Sequence, residues 1–105
     1  MAWLRAGDNL STHPKMFRLL EACGYDHELK NSAFGALVIS ASVAAAHLTD
    51  YVIEPGLIAT FAPTNPKRIT DALQAADLIA EVEVDGRRLF RIVEDDDFLH
   101  MRSKE

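Results

Sequence analysis

An Asp85-Gly86 pair between two β-prone runs constrains the fold of this chain more than any other feature of its sequence. Asp-Gly is a strong signal for a tight hairpin turn, because glycine enters the left-handed backbone region without steric cost. Residues 78–84 and 87–93 flank the pair and are rich in β-branched and other apolar side chains. The sequence therefore predicts a β-hairpin near its C-terminal end.

The register of this hairpin depends on the length of its loop. We expect a three-residue loop, Val84-Asp85-Gly86, because it separates apolar from charged side chains, whereas a two-residue loop pairs Val84 with Arg87 and mixes them. The expected apolar face consists of Leu78, Ala80, Val82, Phe90 and Ile92. The expected outer face consists of Glu81, Glu83, Arg87, Leu89 and Arg91.

A helix signal precedes the hairpin. Asn65-Pro66 provides an N-cap residue followed by proline at the first helical position, which predicts a helix over residues 67–77. Its predicted inner face carries Ile69, Leu73 and Ala76. Its predicted outer face carries Lys67, Thr70, Asp71 and Gln74.

Two longer helices are predicted upstream. Ser11-Thr12-His13-Pro14 opens the first, whose apolar residues recur at helical spacing until Gly24 ends it. Asn31-Ser32 is expected to cap the second, over residues 33–48. That helix is apolar nearly all round and rich in alanine, which is compatible with a buried core helix or with a seam between two copies of the chain.

Short elements join these helices to the C-terminal part. Tyr51-Val52-Ile53 is β-prone and is expected to dock against the hairpin as a third strand. Residues 57–61 leave room for only one or two helical turns before Pro63. The predicted order is helix, helix, strand, short helix, helix and hairpin. That is the α+β order of a winged helix, mostly helical with a small antiparallel sheet as its wing.

Composition predicts one domain over residues 1–105, since 49% of the residues are hydrophobic and only 5 are glycine. The net charge of −5 argues against coating nucleic acid by bulk electrostatics, so any DNA contact must be local. A lone Cys23, no secretion leader and no apolar stretch long enough for a bilayer predict a cytoplasmic protein without membrane contact. From about residue 94 we expect an acidic, flexible tail.

Several short segments resemble a known family. They are Trp3-Leu4 ahead of Asp8, His13-Pro14-Lys15, Ala72-Leu73, Ala76-Asp77-Leu78, Phe90-Arg91-Ile92, Phe98-Leu99 and Arg102-Ser103-Lys104. Together they resemble the winged-helix N-terminal domain of replication-initiator-like proteins from actinobacterial phages and prophages. The chain departs from that group at Asp77, Ile79 and residues 93–97. The resemblance implies a DNA-associated role in replication initiation or its regulation, and no chemical reaction.

The predicted DNA-binding residues lie on the last helix and on the wing. They are Lys67, Arg68, Thr70, Gln74, Arg87 and Arg88. Lysine, arginine and amide side chains suit phosphates and base edges in the major groove of double-stranded DNA. Glu81 and Glu83 are expected to face Arg87 and Arg91, which would neutralise the wing. A protein-interaction or dimerisation module without direct DNA contact therefore stays the alternative, with a second copy or replication and regulatory proteins as its partners.

No catalytic, cofactor or metal site is predicted. The four histidines are too scattered for zinc spacing, and residues 94–97 are expected to be a solvated acidic run rather than a cation site. Cys23 near Asp26-His27-Glu28 lacks the motif of a nucleophile site and is expected to pack as a small apolar residue. We therefore expect a protein that is not an enzyme.

Overall fold

The computed structural model describes residues 2–6, 12–46, 52–62, 64–93 and 99–103. It shows an α+β fold of four helices, a three-stranded antiparallel sheet and a two-stranded ribbon. The helices are α1 (Pro14–Ala22), α2 (His27–Ala46), α3 (Pro55–Phe61) and α4 (Pro66–Ala75). The strands are β1 (Ala2–Ala6), β2 (Val52–Ile53), β3 (Ile79–Val84), β4 (Arg87–Ile92) and β5 (Leu99–Ser103).

The three-stranded sheet has the order β2-β4-β3, so the short strand β2 docks against the hairpin as predicted, on β4. With α2, α3 and α4 around it, this arrangement is compatible with a winged helix. Tyr51 of the predicted strand lies outside the described residues. The core lies between the helices and the inner face of the sheet. Its fully buried large side chains are Leu19, Leu37, Ile53, Ile58, Leu73, Leu78 and Ile79.

The helix α1 begins and ends at local signals. The N-cap residue is His13, whose Nδ1 accepts a hydrogen bond from the backbone N–H of Lys15 at 3.1 Å. After Ala22 the chain turns through Gly24 at a φ of 67°, and the N–H of Tyr25 donates to the carbonyl of Leu20. The predicted glycine stop is therefore confirmed, and the imidazole of His13 caps the N-terminus of the helix.

The helix α2 begins at His27, six residues before the predicted start at 33. Asp26 Oδ1 accepts hydrogen bonds from the backbone N–H groups of Glu28 and Leu29, at 3.0 and 3.1 Å. Two satisfied N–H groups and an acidic first turn stabilise this earlier start, so the expected cap at Asn31-Ser32 is wrong. Both of those residues are exposed on the helix surface.

The small residues of α2 bear on whether this helix is a buried core helix or a seam between two copies of the chain. Ala33, Ala36 and Ala41 are buried inside the chain. The helix lies against α3, α4 and the β1–β5 ribbon, which supply the cover that its apolar surface needs. These three alanine side chains are therefore used in the core of one chain. Residues 47 and 48 of the predicted helix lie outside the described part.

The hairpin register differs from the predicted one. Val84 pairs directly with Arg87, and Asp85-Gly86 forms a two-residue loop. Both loop residues have positive φ, 52° and 79°, as a type I′ turn requires. The inner face consequently carries Ile79, Phe90 and Ile92 near the core and Glu81 and Glu83 further out. Turn geometry decides the register here, because the outer half of the hairpin extends beyond the core and needs no apolar face.

The β1–β5 ribbon was not predicted. Ala2 lies opposite Ser103 and Ala6 opposite Leu99, so the two ends of the described chain pair as antiparallel strands. Residues 99–103 of the expected flexible tail form the strand β5, and residues 94–98 lie outside the described part. Backbone hydrogen bonding between segments so far apart in sequence leaves no local signal.

Candidate nucleic-acid interface

Helix α4 has a buried side and an open side. Asn65 is its N-cap residue and Pro66 its first helical position, as predicted, although the Asn65 side chain makes no capping hydrogen bond. Ile69, Ala72 and Leu73 are buried against the core. The helix ends at Ala75, two residues before the predicted end. Because its apolar stripe is fixed on the core, the opposite stripe must face outward.

That open stripe borders a groove of about 450 Å³ between α3, α4 and the hairpin. We call it the α4–hairpin groove. Its lining residues are Pro55, Ala59, Pro66, Lys67, Thr70, Asp71, Gln74, Glu81, Arg88 and Phe90. Four of the six predicted DNA-binding residues, namely Lys67, Thr70, Gln74 and Arg88, therefore lie along one concave surface.

Arg68 and Arg87 lie elsewhere. Arg68 extends towards the turn after α1, where its Nη2 would lie 3.7 Å from a Cβ placed on Gly24. With Lys67 it lines a second groove, of about 620 Å³, between α1 and α4. Arg87 Nη2 donates to Glu54 Oε1 at 2.7 Å, which ties the tip of the hairpin to the residue before α3. The structure thus separates these two arginines from the α4–hairpin groove.

The two cations of the groove each face a carboxylate of the same groove. Lys67 Nζ lies 3.0 Å from Asp71 Oδ2, one helical turn further along α4. Arg88 forms a salt bridge with Glu81 on the neighbouring strand. All four side chains are exposed to solvent, Glu81 the least at 42%, and salt bridges of this kind contribute about 0–1 kcal/mol each. The pairs are therefore weak and open to exchange with another anion.

Thr70 and Gln74, the uncharged polar residues of the groove, differ in the hydrogen-bonding groups that they leave for a ligand. The Thr70 hydroxyl donates to the backbone carbonyl of Pro66 at 2.8 Å, so its proton is used within the helix. Gln74 is half-buried, and no partner within the described part of the chain holds its side-chain amide. An amide offers a donor and an acceptor together, which matches the edge of adenine in the major groove.

The sequence predicts that carboxylates neutralise the arginines of the wing, but the partners in the structure differ from the predicted ones. Glu81 was expected to face Arg87 and Arg91, but the two-residue loop places it opposite Phe90 and beside Arg88. The spacing of Lys67 and Asp71 by four residues already indicates their pairing. The pair of Arg87 with Glu54 joins residues 33 apart and gives no such signal.

Cys23 is buried at the end of α1. Burial raises the pKa of the Cys23 thiol, and the nearby Arg68 guanidinium opposes part of that rise. A raised pKa keeps the thiol protonated near neutral pH, which does not favour a nucleophile. Asp26, three residues after Cys23, is engaged in capping α2.

The described residues contain no cluster of His, Cys, Asp and Glu side chains that could hold a metal ion. Their helices include none with the length and apolar character required to cross a bilayer.

Comparison with protein-family models, curated proteins and solved structures finds no match to the chain. The resemblance to phage and prophage initiator proteins therefore stays a prediction.

Proposed function

We propose that this protein is a winged-helix module that binds double-stranded DNA through the α4–hairpin groove. The observation that carries the proposal is the convergence of Lys67, Thr70 and Gln74 of α4 with Arg88 of the hairpin on one open surface. A helix with basic and amide side chains on its outer stripe fits a major groove, and a hairpin beside it reaches the adjoining backbone.

The topology supports the same proposal. In a winged helix a short strand precedes the helix-turn-helix and joins the edge of the wing. Here β2 precedes α3 and α4 and pairs with β4, the second strand of the hairpin. We assign α3 as the supporting helix, α4 as the recognition helix and the β3–β4 hairpin as the wing.

The start of α4 suits a phosphate group. Its first turn contains no acidic residue, and the Asn65 side chain does not cap it. The free N–H groups of a helix N-terminus attract anions, and Lys67 and Arg68 add two cations there. Phosphate contacts at this end would fix the depth at which α4 enters the major groove.

The salt bridges of the groove do not prevent phosphate binding. Because exposed pairs are worth so little, a phosphate can replace Asp71 or Glu81 as the partner of Lys67 or Arg88. The resemblance to phage and prophage proteins extends the proposal to replication initiation or its regulation in the cytoplasm.

A protein-interaction module is the second candidate, and exposed aromatic residues favour it. Phe17 on α1 and Tyr25 just after it expose 58% and 68% of their surfaces. Aromatic side chains are enriched at protein interfaces. Their side of the molecule carries α1 rather than the α4–hairpin groove, so the two candidates predict contacts on different surfaces.

Duplex binding across a salt series tests the proposal. Fluorescence anisotropy with a labelled random-sequence duplex should show binding at low salt that weakens as salt rises, because phosphate contacts release counterions. Replacing Arg88 by Gln should reduce the salt slope by about one unit. Arg18→Gln removes the same charge from the exposed surface of α1 and should leave the slope nearly unchanged. Absence of binding at low salt would refute DNA binding, and a mass that rises with concentration in sedimentation would support self-association.

A further inference from the structure

The charge of the α4–hairpin groove is balanced. Its charged lining residues are Lys67 and Arg88 on one side and Asp71 and Glu81 on the other. Each cation is paired with one of the two carboxylates. A duplex that enters this groove therefore meets as many anions as cations, and its phosphates alone gain little from the approach.

Asp71 differs from Glu81 in its position. It lies on α4, one turn after Lys67 and on the stripe that we assign to the major groove, and its side chain is 58% exposed. Glu81 lies on β3 and holds Arg88 at the wing. Only Asp71 is therefore placed among the residues that would face base edges.

A carboxylate accepts hydrogen bonds and cannot donate one at neutral pH. In the major groove the donors are the amino groups of cytosine N4 and adenine N6, whereas guanine O6 and N7 and thymine O4 are acceptors. An ionised Asp71 is attracted to the amino groups and repelled by the acceptors and by the phosphates. Every base pair presents one amino group, on its adenine or cytosine, so the attraction depends on which strand carries that base. The repulsion by the phosphates applies to every sequence, and only a cytosine or adenine on the strand beside Asp71 offsets it.

From this geometry we infer that Asp71 is a specificity-determining residue, which selects duplexes that place cytosine or adenine, rather than guanine or thymine, on the strand facing the middle of α4 and weakens binding to all others. The inference rests on the proposed function. It assigns Glu81 a different effect, because loss of that carboxylate frees Arg88 for the backbone and strengthens binding to every duplex alike.

The test compares two duplexes for each protein. One is the sequence most enriched from a randomised duplex pool by the wild-type protein, and the other is a random-sequence duplex of equal length. For Asp71→Asn we expect the ratio of the two affinities to fall about tenfold, mainly through tighter binding of the random duplex. For Glu81→Gln both affinities should rise by the same factor. Glu28→Gln, at the exposed start of α2, removes the same charge outside the lining of the α4–hairpin groove and should leave the ratio of the two affinities unchanged.

The outcomes separate the two proposals. If the wild type binds duplex DNA but Asp71→Asn leaves the affinity ratio at its wild-type value, the inference is wrong and DNA binding stands. If the selection enriches no sequence, the inference is also wrong and DNA binding stands. If the wild type binds no duplex at low salt, the proposed function fails and the inference with it. Circular dichroism of each variant verifies that an altered ratio does not come from unfolding.

Discussion

Lys67 Nζ lies 3.0 Å from the carboxylate of Asp71, one turn further along α4 and on the same open stripe. The Lys67 side chain is 91% exposed, so this pair is solvated and weak. A phosphate group can therefore compete for the ammonium group with the carboxylate. The outer side of α4, which the sequence predicts, thus carries an ammonium group that is available for the DNA contact that we propose.

The Lys67→Gln variant should bind a random-sequence duplex more weakly at low salt than the wild type. One phosphate contact is lost, so the slope of log affinity against log salt should decrease by about one unit. Fluorescence anisotropy across a salt series measures both quantities. Arg18→Gln is the matched control on α1. Equal slopes for Lys67→Gln and the wild type would exclude Lys67 from the phosphate contacts.

Two glycines should respond to alanine in opposite directions. Gly86 has a φ of 79°, where an alanine costs about 1–2 kcal/mol, so Gly86→Ala should lower the free energy of unfolding by that amount. Gly35 lies inside α2, and a Cβ there would meet no atom within 4 Å. Gly35→Ala should therefore raise the free energy of unfolding by about 0.5–1 kcal/mol. Urea unfolding of both variants measures these changes, and a stabilised Gly86→Ala would contradict the two-residue turn.

Asp77 lies just after the end of α4 and adopts the left-handed backbone region, at a φ of 61°. Its N–H donates to the carbonyl of Gln74 and the N–H of Leu78 to that of Leu73, the pattern in which glycine is preferred. Asp77→Gly should thus raise the free energy of unfolding by about 0.5–1 kcal/mol. Ala75→Gly, in the last helical position, should lower it by up to about 1 kcal/mol. A loss of stability in Asp77→Gly would mean that the carboxylate makes a stabilising contact.

The stability of the protein should depend on pH through Cys23. Burial raises the pKa of its thiol above the ordinary value of 9.0, so the folded state favours the neutral thiol. That contribution is fully present below pH 9.0 and is lost as the pH rises through the folded-state pKa. The stability of the wild type relative to Cys23→Ala should therefore decrease above pH 9.0. Urea unfolding under reducing conditions measures it, and a constant difference would show that the thiol titrates normally.

Local signals account for the parts of the fold that the sequence predicts. Asn65-Pro66 marks the start of α4, and the spacing of Ile69 and Leu73 marks its buried side. Asp85-Gly86 marks the hairpin. Each of these signals acts within a few residues, so no tertiary contact is needed to interpret it.

Features that depend on tertiary structure were not predicted from the sequence. The core does not extend beneath the outer half of the hairpin, so Glu81 needs no burial and the turn decides the register. The pairing of Ala2 with Ser103 joins the two ends of the described chain. For the candidate site, the sequence identified Lys67 and Arg88 but not the groove that brings them together, because α4 and β4 meet only through the packing of the core.

Mapping of backbone amide shifts by NMR, with an unlabelled duplex added at low salt, tests the central claim most directly. DNA binding through the α4–hairpin groove predicts that the largest shifts fall on residues 67–74 and on Arg88. Shifts confined to α1 and the turn at Tyr25, or no shifts at saturating duplex, would contradict it.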